Sequence, residues 1–168
     1  MLAMNIKFDD DSPITALLHR LAQFDQSKLY DEMGAGLVDS VRNRFITGTD
    51  VDGNPWKMSW RASLQGGKNF STGQTLRDTG RLMNSYTHNV LPNGVEVGTD
   101  VEYAAPLHYG AEIVPKTAGY LLFNVAGQYR KVKQVTLPPR TQLGVNADDE
   151  AMLLDVVQGF MNDILRGT

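Results

Sequence analysis

Hydrophobic positions recur at helical spacing near both ends of this chain and alternate at strand spacing between them. Leu17, Leu18 and Leu21 share one helical face. They follow Ser12-Pro13, a capping hydroxyl and a proline suited to the first helical position, with Asp9–Asp11 just upstream of the positive helix end. This short helix ends near Phe24. Ser27 is the expected cap of a longer one, whose stripe of Tyr30, Met33, Leu37, Val38, Val41 and Phe45 runs to a stop at Gly48. Gly34 and Gly36 sit inside it, each costing up to about 1 kcal/mol relative to alanine; either they allow close packing or they are simply tolerated. A final helix over Ala147–Leu165 carries Met152, Leu153, Val156, Val157, Phe160, Ile164 and Leu165 on its apolar face.

Between these helices the period shortens. Asp78 or Thr79 can cap a short helix over Gly80–Tyr86. Thr87–Leu91 and Val95–Gly98 read as two strands joined by a tight turn at Asn93-Gly94, a pair that tolerates positive φ at both positions. Val101–Tyr109 reads as a short helix closed by Gly110. Glu112–Val114, Tyr120–Val125 and Gln128–Thr136 read as further strands, the last two joined around Ala126-Gly127, and Pro138-Pro139 ends the sheet. Helices, then strands, then a helix predict an α+β fold, with an antiparallel meander packed between the N-terminal helices and the C-terminal one. The 168 residues form one domain.

From Thr47 to Thr75 no period is visible. Small and polar residues dominate, which predicts a flexible loop with a functional role. Its two indoles, Trp56 and Trp60, either pack on the domain body or anchor a partner.

Composition narrows the function. Apolar residues make up 42% and charged residues 21%, as in a soluble globular protein, and there is no cysteine for disulfides or thiolate metal sites. No secretory signal or membrane span is read from the chain. The net charge of −3 is unevenly spread. Gly53–Arg81 holds five bases (Lys57, Arg61, Lys68, Arg77, Arg81) against Asp78, and Gln128–Arg140 holds four bases and no acid, so each is +4. Ala147–Thr168 holds five acids and one base, or −4. Basic middle and acidic end could steer subunits together, or could be solvated faces.

Catalytic constellations are missing. His19, His88 and His108 have no metal-ligand spacing, no Gly-x-Ser-x-Gly elbow occurs, and Gly66-Gly67-Lys68 lacks the phosphate-loop spacing. His108 reads as a ring bonded to nearby backbone. Asp148-Asp149-Glu150 sits where a helix N-terminus favours negative charge. No enzyme, cofactor or metal is therefore expected. A nucleic-acid-binding module using the basic segments 53–81 and 128–140, with Trp56, Trp60 and Tyr129 as stacking platforms, is the alternative; a cell-wall hydrolase is a second, with no carboxylate pair to nominate.

The stretch from Asp52 to Gly110 resembles the phage virion morphogenesis family, which includes tail completion proteins of contractile-tailed phages. Gly53-Asn54-Pro55-Trp56-Lys57 resembles its Pro-Trp segment. Leu76-Arg77-Asp78-Thr79-Gly80-Arg81-Leu82-Met83-Asn84-Ser85 resembles its Leu-x-Asp-Thr-Gly-x-Leu-x-x-Ser signature. Gly94–Thr99 resembles the hairpin that follows, and Tyr103-Ala104-Ala105-Pro106-Leu107-His108-Tyr109-Gly110 resembles its Tyr-Ala-x-x-His-x-x-Gly segment. Leu137-Pro138-Pro139-Arg140 is a looser match, with Thr141 and Gln142 where the family has Pro-Phe.

The resemblance implies a structural protein of a tailed phage or prophage, added late in assembly to complete a tail or join it to a head. Its partners would be other tail or neck proteins and copies of itself, a closed ring being one form, in the virion and, during assembly, the host cytoplasm. Trp56, Trp60, Arg77, Arg81, Tyr103, His108 and Arg140 are the expected partner or oligomer contacts. Arg77 and Arg81 could grip a neighbouring subunit's carboxylate or form only local surface pairs, and Tyr103, His108 and Tyr109 could equally be a packed aromatic cluster.

Overall fold

The computed structural model describes residues 13–65, 74–125 and 127–166. The elements are α1 (Pro13–Ala22), α2 (Gln26–Thr47), α3 (Trp60–Gln65), α4 (Arg81–Asn84), β1 (Thr87–Leu91), β2 (Gly94–Gly98), α5 (Ala104–Tyr109), β3 (Ala111–Ile113), β4 (Leu121–Val125), β5 (Gln128–Val132), β6 (Val135–Leu137) and α6 (Ala147–Arg166). The class is α+β. Ser12 and Asp9–Asp11, expected to start α1, lie outside the described residues.

The long helices form as their apolar periods dictate, with one difference at a cap. Asp25, not Ser27, opens α2, its carboxylate accepting the Ser27 backbone N–H at 3.0 Å; an ionised acceptor at a helix start satisfies a free donor and meets the positive end of the dipole. Gly48 closes α2 at φ 73°, its N–H donating to the Arg44 carbonyl at 2.8 Å. The stripe of α2 buries Val38, Val41 and Phe45, which with Trp56, Leu82 and Tyr86 form the centre of the core. α1 packs on the end of α6 through Phe24 and Phe160, edge to face at 5.2 Å. Arg20 donates to the Ile164 and Leu165 carbonyls there, at 3.0 and 3.2 Å, and so satisfies acceptors in the last turn of α6.

The strands differ from a continuous meander. They make three two-stranded antiparallel ladders, β1–β2, β3–β6 and β4–β5, so the β4–β5 hairpin is enclosed between β3 and β6. The expected strand Gln128–Thr136 divides because the chain leaves β4 at Val132 and pairs with β3 from Val135. The first hairpin also turns one residue early. Leu91 pairs with Gly94, so its loop is Pro92-Asn93, and neither Asn93 nor Gly94 has positive φ. Proline fixes a negative φ, which excludes the turn in which both central residues are left-handed.

Gly34 has a packing reason. A Cβ there would lie 2.5 Å from His88 Cδ2 and 2.7 Å from Val95 Cγ2. The His88 ring cannot readily retreat, because its Nε2 is 2.8 Å from Asp31 Oδ1. A Cβ on Gly36 would instead meet the Met152 sulfur at 2.6 Å, on a side chain free to swing away. Gly34→Ala is therefore expected to destabilise by about 1–3 kcal/mol, and Gly36→Ala to be neutral or gain up to about 1 kcal/mol of helix propensity. Urea midpoints of the two variants check both signs.

The Thr47–Thr75 segment, expected to lack regular structure, has a good deal of it among its described residues. Thr49 bridges to Pro55. Asp50 Oδ1 accepts the backbone N–H groups of Asp52 and Asn54 at 2.9 and 2.8 Å, and Trp56 N–H donates to the Gly48 carbonyl at 2.8 Å. Such side-chain-to-backbone bonds build a turn without any apolar period. Helix α3 follows, with Ser59 Oγ accepting the Ala62 N–H at 3.2 Å. Residues 66–73 lie outside the described residues.

A buried ion pair joins the two long helices. Arg44 reaches Asp149 from the core face of α2, both side chains nearly inaccessible. Arg44 Nη1 also donates to the Gln142 and Gly144 carbonyls at 2.9 and 3.0 Å, and Ser40 bonds the other Asp149 oxygen. Asn146 and Asp149 cap α6 reciprocally: Asp149 N–H donates to Asn146 Oδ1 at 2.9 Å and Asn146 N–H to Asp149 Oδ2 at 3.0 Å. Asp149 thus does more than face a helix dipole.

Candidate functional site

The groove between α3, α4, α5 and β6 gathers four of the seven expected contact residues. Its volume is about 570 Å³, and Trp60, Arg81, Tyr103 and Arg140 line it together with Lys57 and Arg61. Each wall has a local cause. Buried Thr75 accepts the Ser59 backbone N–H at 2.9 Å, tying the approach to α3 onto the chain entering α4. Arg61 Nη2 donates to the Gln74 and Arg77 carbonyls at 2.9 and 3.0 Å, and its other terminal nitrogen is 3.5 Å from Asp78. The turn so braced holds Leu76 at φ 63°, a strained conformation for a residue with a Cβ that its packing against the core maintains. Gly80 is left-handed at φ 79°, and Thr79 Oγ1 accepts the Arg81 N–H at 3.3 Å as α4 begins. Neither Asp78 nor Thr79 is therefore the cap residue: Gly80 is, without a side-chain bond, and the Thr79 hydroxyl only braces the turn before it.

Groove chemistry is cationic over an apolar floor of Leu107, Leu137 and Pro138. Among the described residues Asp78 is its only acid, and it is paired with Arg61. Arg140 is 5% exposed. Its Nε donates to the Lys57 carbonyl at 2.9 Å, its backbone N–H donates to the Leu107 carbonyl at 3.0 Å, and burial lowers its pKa below the usual guanidinium value. Arg81 is exposed, with no side-chain hydrogen bond or ion pair among the described residues. Trp60, 42% exposed, stands at the rim with the Arg130 guanidinium 4.7 Å from its ring centre, so the β4–β5 hairpin borders the groove through a cation–π contact.

The other three residues lie elsewhere. Trp56 is 8% exposed, edge-to-face on Phe45 at 5.4 Å, with Nε1 donating to the Thr141 carbonyl at 3.3 Å. Both its rings and its N–H are used inside the core, which leaves no face for a partner. Arg77 does not line the groove; it bonds the Gln74 side chain. His108 does not line the groove either; it meets the Tyr109 ring edge to face at 4.5 Å. Its Nδ1 accepts the Gln142 N–H at 3.1 Å, as expected for a ring bonded to backbone.

Burial lowers the His108 pKa, and an accepting Nδ1 requires the neutral ring. The unfolded chain therefore binds the proton more readily, and stability is expected to fall as pH drops below the ordinary histidine value of 6.5. A shallower loss in His108→Gln, measured by thermal unfolding between pH 7 and 5, would show it.

Two features escaped the sequence. Arg44 occupies a core position three residues after Val41, and a charge on an apolar stripe signals a buried partner. Gln142, fully buried, accepts the Tyr86 hydroxyl at 2.6 Å, while burial pushes that phenol up to about 12. Among the described residues no cluster of three or more His, Asp or Glu is placed to hold a metal ion, and no helix is long and apolar enough to cross a membrane.

Residues 9–162 match the model of a family described as the phage virion morphogenesis family. No curated protein and no solved structure matches the chain.

Proposed function

This chain belongs to the phage virion morphogenesis family, and from that premise we propose that it is a structural protein without catalytic activity, acting late in assembly to complete the tail or join it to the head. The observation that carries the reading is the groove: the cationic and aromatic side chains of Trp60, Arg81, Tyr103 and Arg140 converge on one surface of a chain from this family. Paired arginines beside aromatic rings are the residue types that dominate protein–protein contacts. The partner is another tail or neck protein.

Deleting the gene from its phage or prophage tests the role. Micrographs of the lysate are expected to show heads and tails that fail to form joined, infectious particles. Normal particles at normal titre would end this reading.

Self-association is part of the proposal. Helix α6 is acidic and leaves Leu154, Met161 and Leu165 exposed, while the groove is basic. Unlike surfaces of opposite sign favour head-to-tail contacts, which close into a ring when the rotation permits. Sedimentation at rising protein concentration checks it, with larger species expected at low salt and loss of them at high salt.

A further inference from the structure

Arg140 poses a problem that the fold does not solve. The residue is 5% exposed, yet of its side-chain nitrogens Nε alone has a partner among the described residues, the neutral Lys57 carbonyl. Neither terminal nitrogen is bonded to any described residue, and neither is sealed from solvent. The nearest acid in the groove, Asp78, is exposed and already paired with Arg61. Uncompensated buried charge is costly, and a planar guanidinium with its stem fixed and its fork open is preorganised for a two-oxygen anion.

Resting on the assembly reading above, we propose that this groove binds the carboxylate of an acidic peptide segment from a partner protein, with Arg140 gripping it from below and Arg81 from the rim. The shape favours a peptide. A volume of about 570 Å³ holds a few side chains and admits no duplex. Leu107, Leu137 and Pro138 can cover the apolar residue next to an acid, and the Tyr103 and Trp60 rings can flank the peptide backbone. Charge favours it too. A chain of net charge −3 with an acidic α6 repels a long polyanion, whereas a short segment meets only the local basic surface.

Titration calorimetry of the purified protein with hexaglutamate tests the site, with inorganic phosphate and a dodecameric oligothymidylate as separate arms. Hexaglutamate is expected to bind, and Arg81→Gln and Arg140→Lys each to weaken it on the order of tenfold, as loss of one charge-assisted bond requires. Arg140→Lys keeps the charge and removes the fork together with the Nε bond to the Lys57 carbonyl. Should it fail to fold by circular dichroism, Arg81→Gln decides alone, because the Arg81 side chain makes no hydrogen bond or ion pair among the described residues. Unchanged affinity in the folded variants overturns the proposal, as does no binding to the wild type. Oligothymidylate binding more tightly through the same two arginines assigns the groove to nucleic acid, and phosphate matching hexaglutamate reduces it to a generic anion hole; both overturn it. A groove indifferent to hexaglutamate in a protein whose gene is still required for joined particles would remove the carboxylate and leave the assembly role standing.

Discussion

Asp149→Ala is expected to destabilise the fold by about 3–5 kcal/mol, the usual cost of leaving a buried charge without its partner. Arg44 would keep its two carbonyl acceptors but lose its counter-ion, and Ser40 and the Asn146 backbone N–H would lose an acceptor at the same time. The damage falls where α2 meets α6, so the C-terminal helix should loosen first. Replacing both charges with apolar side chains, as Arg44→Met with Asp149→Leu, is expected to cost less than Asp149→Ala alone, because no unpaired ion remains. Urea unfolding of the single and double variants measures the difference. A loss below about 1 kcal/mol for Asp149→Ala would mean that water reaches the pair and screens it.

The second large effect separates the two tryptophans. Trp56→Ala is expected to cost about 3–5 kcal/mol, as truncation of a large core aromatic does, since it opens a cavity against Phe45 and strands the Thr141 carbonyl. Trp60→Ala should leave stability within about 1 kcal/mol of the wild type, because its ring is at the groove rim and its described aromatic partner is the surface Arg130. Assembly should respond differently. The Trp60 variant, folded and abundant, is expected to yield few infectious particles, and the Trp56 variant to fail through loss of folded protein. Thermal melts beside plaque titres of a complemented deletion distinguish these outcomes.

Periodicity explains what the sequence made legible. The stripe of α2 repeats often enough to fix which face is buried, that of α6 marks a half-buried face from which the expected Leu165 falls out exposed, and Gly48 marks a left-handed stop that only its missing Cβ makes cheap. Hairpin β1–β2 was legible as two runs and a turn, although Pro92 rather than the Asn-Gly pair sets the turn geometry. The segment after Gly48 was not legible. Its order comes from Asp50 holding backbone donors and from one indole entering the core, and neither leaves a repeat along the chain. Pairing between β3 and β6 was hidden as well, because the closed hairpin between them looks like the next strands of a meander.

The groove was half visible. Trp60, Arg81, Tyr103 and Arg140 stand in short motifs that could be quoted singly, but only the tertiary fold brings α3, α5 and the chain after β6 to one place. Trp56 misled because residue type alone cannot tell a core indole from an anchoring one. His108, by contrast, behaves as its ordinary chemistry suggests, accepting a backbone bond away from the groove.

The most direct measurement is the plaque titre of a phage or prophage deleted for this gene and complemented with Arg81→Glu, whose purified form is expected to melt at the wild-type temperature. If the groove is the surface gripped by other virion proteins, reversing that charge leaves free heads and tails and a titre near that of the deletion. A wild-type titre from the folded variant would contradict the account.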